Sequence, residues 1–199
     1  MLRVYGRHNS SNSAKVFWLL EELSEEYQLI ETGRGFAATD TAAFRALNPF
    51  GKVPVIEEGA TVVWESNAVL RYLAGRAPNP LWPQDAAGRS AVDRWMDWIS
   101  ISFTPPLTRL RKARAAGGTE TPDDLAAVIR GAEALDHWLA DRAYLCGEGL
   151  SLADIVAAPA VNRWFLLPEA ARPLPHLMRY RQRLEANAGY RRHIRDALS

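Results

Sequence analysis

The sequence predicts an α/β domain followed by a domain that consists only of helices. Over residues 1–78, short apolar runs typical of strands alternate with segments whose apolar residues have helical spacing. After Asp85 the apolar patterns have helical spacing throughout. Proline, which interrupts regular structure, marks the passage between these parts at Ala77-Pro78-Asn79-Pro80. We therefore assign residues 1–78 to the first domain, 79–86 to a linker and 87–199 to the helical domain.

The first domain begins with a short strand and an amphipathic helix. Residues 2–5 alternate and predict a strand, residues 6–13 form a polar loop, and residues 27–30 predict the second strand. Between the loop and the second strand, glutamates fill the positions left by apolar residues, as expected for a helix with one buried face. Its apolar positions are Val16, Phe17, Leu19, Leu20 and Leu23.

The rest of the first domain is predicted to hold a short helix, a hairpin and a longer helix. Residues 44–47 predict the short helix, and residues 55–56 and 62–64 flank a Glu-Glu-Gly-Ala turn. Ser66 is expected to cap the helix that follows. The resulting order, β-α-β-α-β-β-α, is that of a thioredoxin-like domain. That likeness alone says little about activity.

The second domain carries several helix signals. Trp95 and Trp98 share one face of its first helix. Thr121-Pro122-Asp123-Asp124 is a typical helix start, with threonine as cap and proline at the first helical position. Ser151-Leu152-Ala153-Asp154 is a cap-like S-x-x-D ahead of an apolar run. From Pro175 onward the pattern predicts one final basic helix, so the whole domain is expected to be an all-α helical bundle.

Composition and charge argue against several classes of function. A net charge of +1 gives no electrostatic reason to expect nucleic acid or an anionic membrane as partner. No apolar stretch approaches the roughly 20 residues that span a bilayer. The first residues already predict a strand rather than a cleavable signal. The single cysteine, Cys146, allows no intramolecular disulfide and is expected to be a small packed residue, which is consistent with a reducing cytoplasm.

Two segments of the first domain predict a binding site for a small peptide. Residues 49–54, Pro-Phe-Gly-Lys-Val-Pro, place Pro54 where a strand begins, because proline cannot donate to a sheet ladder. If the Val53-Pro54 bond is cis, the amide and carbonyl of Val53 turn outward and can pair with a ligand backbone. Glu65-Ser66 lies where a strand ends and a helix begins, and the positive end of that helix favours a carboxylate. Together the segments suit the backbone and α-carboxylate of a peptide.

These residues resemble the glutathione-binding half of cytosolic glutathione S-transferases. The likeness rests on residues 48–54 and on Glu65-Ser66-Asn67-Ala68, continues through Tyr72-Leu73 and residues 151–155, and covers nearly all of the chain. It points to bacterial-type classes with serine or asparagine in the first loop, such as theta, zeta or nu. The resemblance implies an enzyme that binds glutathione as co-substrate without a metal and stabilises its thiolate for attack on a small, apolar electrophile. It also implies a cytoplasmic homodimer with a role in detoxification and no nucleic-acid or membrane partner.

The resemblance also implies a role for each residue of the two binding segments. It assigns Val53, held by Pro54, to backbone pairing with the cysteinyl part of glutathione. Ser66 is assigned to the γ-glutamyl carboxylate and Glu65 to the γ-glutamyl amine. Lys52 is assigned to the glycyl carboxylate.

Two residues of the first loop are the candidate catalytic residues. Ser10 aligns with the catalytic serine of the zeta, theta and delta classes, and Asn12 with an asparagine near the sulfur in nu-class proteins. Both are neutral hydrogen-bond donors that can hold a thiolate at the start of a helix. Tyr5 is expected to pack in the sheet instead. Ser10 and Asn12 therefore both stay candidates, with Ser10 preferred.

Other functions stay open. Nu-like relatives reduce disulfides with glutathione, which would follow if Asn12 is the partner of the sulfur. Isomerisation or dehalogenation would suit zeta- and theta-like relatives. A non-catalytic regulator or carrier, like the stringent-starvation proteins, is disfavoured by the joint presence of loop donors, Val53-Pro54 and Glu65-Ser66. The second substrate is expected between the domains, beside Trp95, Trp98 and Trp164-Phe165, and the sequence does not identify it.

Overall fold

A computed structural model describes residues 1–119 and 121–198 of the chain. These residues form two compact units, one of residues 1–79 together with 188–198 and the other of residues 80–187. The first unit has a four-stranded sheet with helices and the second is helical, which confirms the predicted fold class. The domain boundaries derived from the sequence stay a prediction, and residues 188–198 group with the N-terminal unit rather than with the helical one.

The N-terminal unit has the predicted element order. The strand order is β2-β1-β3-β4, with β1 parallel to β2 and antiparallel to β3, and with β3 and β4 paired as a hairpin. β1 and α1 bury most of the apolar positions that their periodicity predicts, among them Val4 and Leu19, whereas Leu23 lies just beyond the end of α1 and is only partly buried. The elements are β1 (Leu2–Gly6), α1 (Ser11–Glu22), β2 (Tyr27–Glu31), α2 (Ala42–Leu47), β3 (Val55–Glu58), β4 (Thr61–Trp64) and α3 (Ser66–Gly75).

The helical unit is built from five α-helices within the described residues, α4 (Ala86–Trp98), α5 (Thr104–Ala115), α6 (Pro122–Trp138), α7 (Leu152–Trp164) and α8 (Pro175–Ala186). A π-helical segment, Ile99–Phe103, connects α4 to α5. Only Thr104 separates it from Pro105 and Pro106, which have no N–H to continue the regular α-helical bonding. Thr121 caps α6 as predicted, since its hydroxyl oxygen accepts the N–H of Asp124 at 3.3 Å. No helix within the described ranges is both long and apolar enough to cross a membrane.

Asp154 is the buried centre of a hydrogen-bond network at the start of α7. Its carboxylate accepts the N–H groups of Ser151 and Leu145, both at 2.9 Å, and the hydroxyl of Tyr180 at 2.9 Å. Burial raises the pKa of Asp154, while these donors lower it. The cap predicted from the S-x-x-D pattern is confirmed, and it joins α7 to α8. Cys146, close by in sequence, is exposed, so the prediction of a packed cysteine is wrong.

The last residues of the chain complete the core of the N-terminal unit. The indole of Trp18 on α1 is fully buried and meets the ring of Tyr190 edge-on, with 5.8 Å between the ring centroids. The prediction of one continuous helix from Pro175 onward is wrong, because Asn187 is extended and ends α8. It separates α8 from a short helix, α9 (Ala188–Tyr190), and from the π-helical turn Arg191–Arg195.

Candidate active site

The N-terminal unit contains a cavity of about 130 Å³ beside the start of β3 and the end of β4. The hairpin register pairs Val55 with Trp64, so the residues just outside this pair, Pro54 and Glu65, lie side by side. The sheet therefore joins the two segments that the sequence predicted as one site, and the start of α1 adds a third wall. The residues that line the cavity are Asn12, Asn48, Lys52, Val53, Pro54, Glu65 and Ser66.

The loop ahead of β3 is held in shape by Asn48. This residue is 1% exposed, its side-chain amide donates to the carbonyl of Lys52 at 2.8 Å, and its side-chain oxygen accepts the N–H of Phe50 at 3.1 Å. The Val53-Pro54 bond that follows is cis. Sequence reasoning did not assign Asn48 to the site. Its position before a turn was the available signal, because asparagine side chains commonly hydrogen-bond the backbone a residue or two further on.

Glu65 and Ser66 form the junction between β4 and α3. Glu65 has φ 68° and ψ 116°, a conformation that residues with a side chain rarely adopt, and it is the N-cap of α3. Ser66, which was predicted to be the cap, is instead the first helical residue and is 6% exposed. The first N–H groups of a helix have no partner within it and carry the positive end of its dipole, so this junction favours an anionic group. The sequence contains no signal for the positive φ, because glutamate does not favour it.

The structure puts the two candidate catalytic residues in different environments. Ser10 is 9% exposed and is the N-cap of α1, where its hydroxyl oxygen accepts the N–H of Ser13 at 3.4 Å. Because the Ser10 oxygen is the acceptor, this bond does not involve the hydroxyl proton of Ser10. Asn12 is exposed and lines the cavity. Asn12 thus lies at the cavity with the other predicted site residues, whereas Ser10 caps α1, the helix that carries Asn12.

Lys15 is a charged residue of this region that sequence reasoning missed. It is 5% exposed, and its ammonium donates to the side-chain oxygen of Asn67 at 3.2 Å. Burial lowers the pKa of Lys15 from 10.5 to about 8, and the carboxylate of Glu65 raises it in part. The sequence offered little warning, because a lysine at the edge of an amphipathic helix usually extends its charge into water.

Comparisons with known proteins identify the family. The model of the "Glutathione S-transferase, N-terminal domain" matches residues 9–76, and that of the "Glutathione S-transferase, C-terminal domain" matches residues 96–188. The chain is 34% identical to glutathione S-transferase GstB of Escherichia coli, over 96% of this chain and 97% of that protein. The chain belongs to the glutathione S-transferase family.

Theta-class proteins are among the relatives of this transferase. A theta class glutathione S-transferase from Xanthomonas axonopodis pv. citri, solved with glutathione bound, is 37% identical and superposes with a TM-score of 0.85, over 100% of this chain and 99% of that one. Glutathione S-transferase theta-3 of Mus musculus is 30% identical over 82% of this chain and 73% of that protein. The resemblance inferred from the sequence is confirmed, and the protein is a glutathione transferase.

Other residues singled out from the sequence lie elsewhere in the transferase. The hydroxyl of Tyr5 donates to the carboxylate of Glu57 within the sheet, and burial together with this glutamate raises the pKa of Tyr5. This confirms the expectation that Tyr5 packs in the sheet. In the helical unit, Trp95 and Trp98 line an apolar groove of about 480 Å³ between α4 and α6, while Trp164 is fully buried in the core.

Proposed function

We propose that this transferase binds glutathione in the cavity of its N-terminal unit and stabilises the thiolate for attack on a small electrophile. The observation that carries the proposal is the cavity itself, where the start of α1, the loop ahead of β3 and the β4–α3 junction meet. The theta-class relative that was solved with bound glutathione supports the same ligand. The second substrate is proposed to be small and apolar.

The chemistry of the lining residues suggests how the tripeptide is held. Ser66, at the positive end of α3, suits the γ-glutamyl carboxylate, and the exposed carboxylate of Glu65 suits the γ-glutamyl amine. The backbone of Val53, ahead of the cis bond to Pro54, suits the cysteinyl part. Lys52 is exposed and suits the glycyl carboxylate. In this arrangement the ligand spans the cavity from α3 to the loop ahead of β3.

The central task of the enzyme is to ionise the thiol. A thiol with a pKa of about 8.5 is only about 3% ionised at pH 7. Lowering that pKa by about 2 units raises the ionised fraction to roughly three quarters and corresponds to about 2.7 kcal/mol of preferential stabilisation of the anion. One or two neutral donors at the start of α1 can supply this stabilisation. We propose Ser10 and Asn12 as those donors.

Disulfide reduction with glutathione is the second candidate function, and the position of Asn12 favours it. Asn12 lines the cavity while Ser10 caps α1, an arrangement that suits an asparagine as the partner of the sulfur. Rates with a small aryl halide and with a small aliphatic disulfide, measured at equal glutathione concentration, separate the two functions. Asn12→Ala should lose more of the disulfide rate than Ser10→Ala if reduction dominates.

Calorimetric titration of glutathione at pH 7, in two buffers of different ionisation enthalpy, tests the main proposal. Heat that depends on the buffer means that the thiol releases its proton on binding, as we expect. The pH–rate profiles of Ser10→Ala and Asn12→Ala then show which side chain stabilises the sulfur, because its removal raises the kinetic pKa. Glu65→Ala and Ser66→Ala should weaken binding more than they change that pKa. Absence of binding to the wild-type protein would overturn the proposal.

We further propose that the transferase is a cytoplasmic homodimer. An exposed Phe50 side chain, 65% accessible, offers apolar surface of the kind that dimer interfaces bury, and the single cysteine suits a reducing compartment. Light scattering should give about twice the chain mass of 22.2 kDa. A particle of the single-chain mass contradicts the dimer.

A further inference from the structure

Lys15 links α1 and α3, the two helices whose first residues line the cavity. Asn12 and Lys15 are three residues apart and therefore share one face of α1. Asn12 lines the cavity, whereas Lys15 is buried one turn further along the helix. The ammonium of Lys15 reaches Asn67 on the first turn of α3, at 3.2 Å and 52 residues further along the chain. This contact joins the α1 wall to the segment that carries Glu65 and Ser66.

The charge of Lys15 has a partner on the same segment. An ammonium removed from water is costly unless it is hydrogen-bonded or faces an opposite charge, and here Asn67 supplies the bond and Glu65 the charge. Glu65 is held at φ 68°, a backbone state that persists only where surrounding contacts determine it. A methionine would fill the space of the lysine without the cost of its charge. The buried charge is therefore expected to serve the site rather than the stability of the fold.

We propose that Lys15 is a positioning residue of the glutathione site. Its ammonium donates to Asn67 and so holds the start of α3, with the neighbouring Glu65 and Ser66, against α1. This inference rests on the proposed function and deepens it. Lys15 acts through its neighbours, and it determines how tightly the γ-glutamyl end of the ligand is bound.

Calorimetric titrations of glutathione and of S-methylglutathione test this role. S-methylglutathione has no ionisable thiol, so its affinity reports the binding of the peptide alone. Lys15→Met should weaken both ligands about tenfold, which corresponds to about 1.4 kcal/mol. It should also raise KM for glutathione while kcat and the kinetic pKa of the thiol stay close to the wild-type values, as expected when binding is lost equally from ground state and transition state. Lys112→Met, at an exposed position of the helical unit, is the matched control and should bind both ligands normally.

Asn67→Ala reaches the same contact from α3 and keeps the test valid if one variant folds poorly. The double variant, Lys15→Met with Asn67→Ala, should bind glutathione no more weakly than whichever single variant binds it less tightly. The effects of two residues that act through one contact are not additive. Normal affinity of Lys15→Met for S-methylglutathione overturns the inference, whether or not the thiol pKa changes, and so do additive losses. Neither of these results contradicts the proposed function. A wild-type protein that binds neither glutathione nor S-methylglutathione would overturn both the proposed function and the role of Lys15.

Discussion

Replacement of Lys15 by methionine should make the fold more stable. The lysine is 5% exposed, and its pKa falls from 10.5 to about 8, mainly because of burial. Since one pKa unit corresponds to about 1.4 kcal/mol, the charged lysine costs the folded protein about 3.5 kcal/mol. Methionine removes this cost, and the lost hydrogen bond to Asn67 offsets about 1.5 kcal/mol of the gain. We therefore expect Lys15→Met to raise the free energy of unfolding by about 2 kcal/mol at pH 7.

The difference between the two proteins should also depend on pH. The pKa of Lys15 is lower in the folded protein than in the unfolded chain, so the cost of its charge is fully present below about pH 8. The cost disappears as the pH rises from about 8 to about 10.5, where the unfolded chain loses the proton as well. From pH 7 to pH 9, the wild-type protein should gain about 1.3 kcal/mol of stability relative to the Lys15→Met protein.

Urea unfolding of both proteins at pH 7 and pH 9, followed by tryptophan fluorescence, measures these quantities. Lys112→Met is again the control, and a change of an exposed lysine should stay within about 0.5 kcal/mol. A Lys15→Met protein that is less stable than the wild type at pH 7 would contradict the cost assigned to the buried charge. An equal difference in stability at pH 7 and pH 9 would contradict it as well. Greater stability of the Lys15→Met protein combined with weaker glutathione binding would mean that the charge of Lys15 supports ligand binding at a cost to the stability of the fold.

Three further predictions concern the loop, the helical unit and the last residues of the chain. Gly51→Ala should destabilise the protein more than Gly59→Ala and should weaken glutathione binding in calorimetry. Both glycines have φ near 60°, but of the two only Gly51 would place a Cβ against a backbone atom, the carbonyl oxygen of Thr39 at 2.8 Å. Equal effects of the two substitutions would contradict this prediction. Asp154→Asn should cost about 2–4 kcal/mol in urea unfolding, because an amide cannot accept every donor that the carboxylate accepts, and a loss below about 1 kcal/mol would show that the network relaxes. Tyr190→Ala should cost about 3–5 kcal/mol through lost packing on α1, and wild-type stability would contradict the assignment of residues 188–198 to the N-terminal unit.

The elements and their caps were largely predictable because their signals are local. The hairpin β3–β4 follows from two short apolar runs around a turn, and Thr121 caps α6 as its sequence context indicated. The sequence also grouped Val53-Pro54 with Glu65-Ser66 as one predicted site, and the hairpin register explains why these segments meet. The break at Asn187 was missed, because a basic amphipathic pattern continues across it while the backbone does not.

The sequence by itself determined the family, the two kinds of domain and the segments that line the cavity. These depend on periodicity, turn chemistry and motif spacing, which act over a few residues. Only the tertiary structure decided that Lys15 is buried against Asn67, that Glu65 has a positive φ, and that Asn12 rather than Ser10 lines the cavity. Burial and charge interactions depend on groups brought together from distant parts of the chain. The pKa of Lys15 is low because α1 and α3 together exclude water from its ammonium, and no pattern within α1 carries that information.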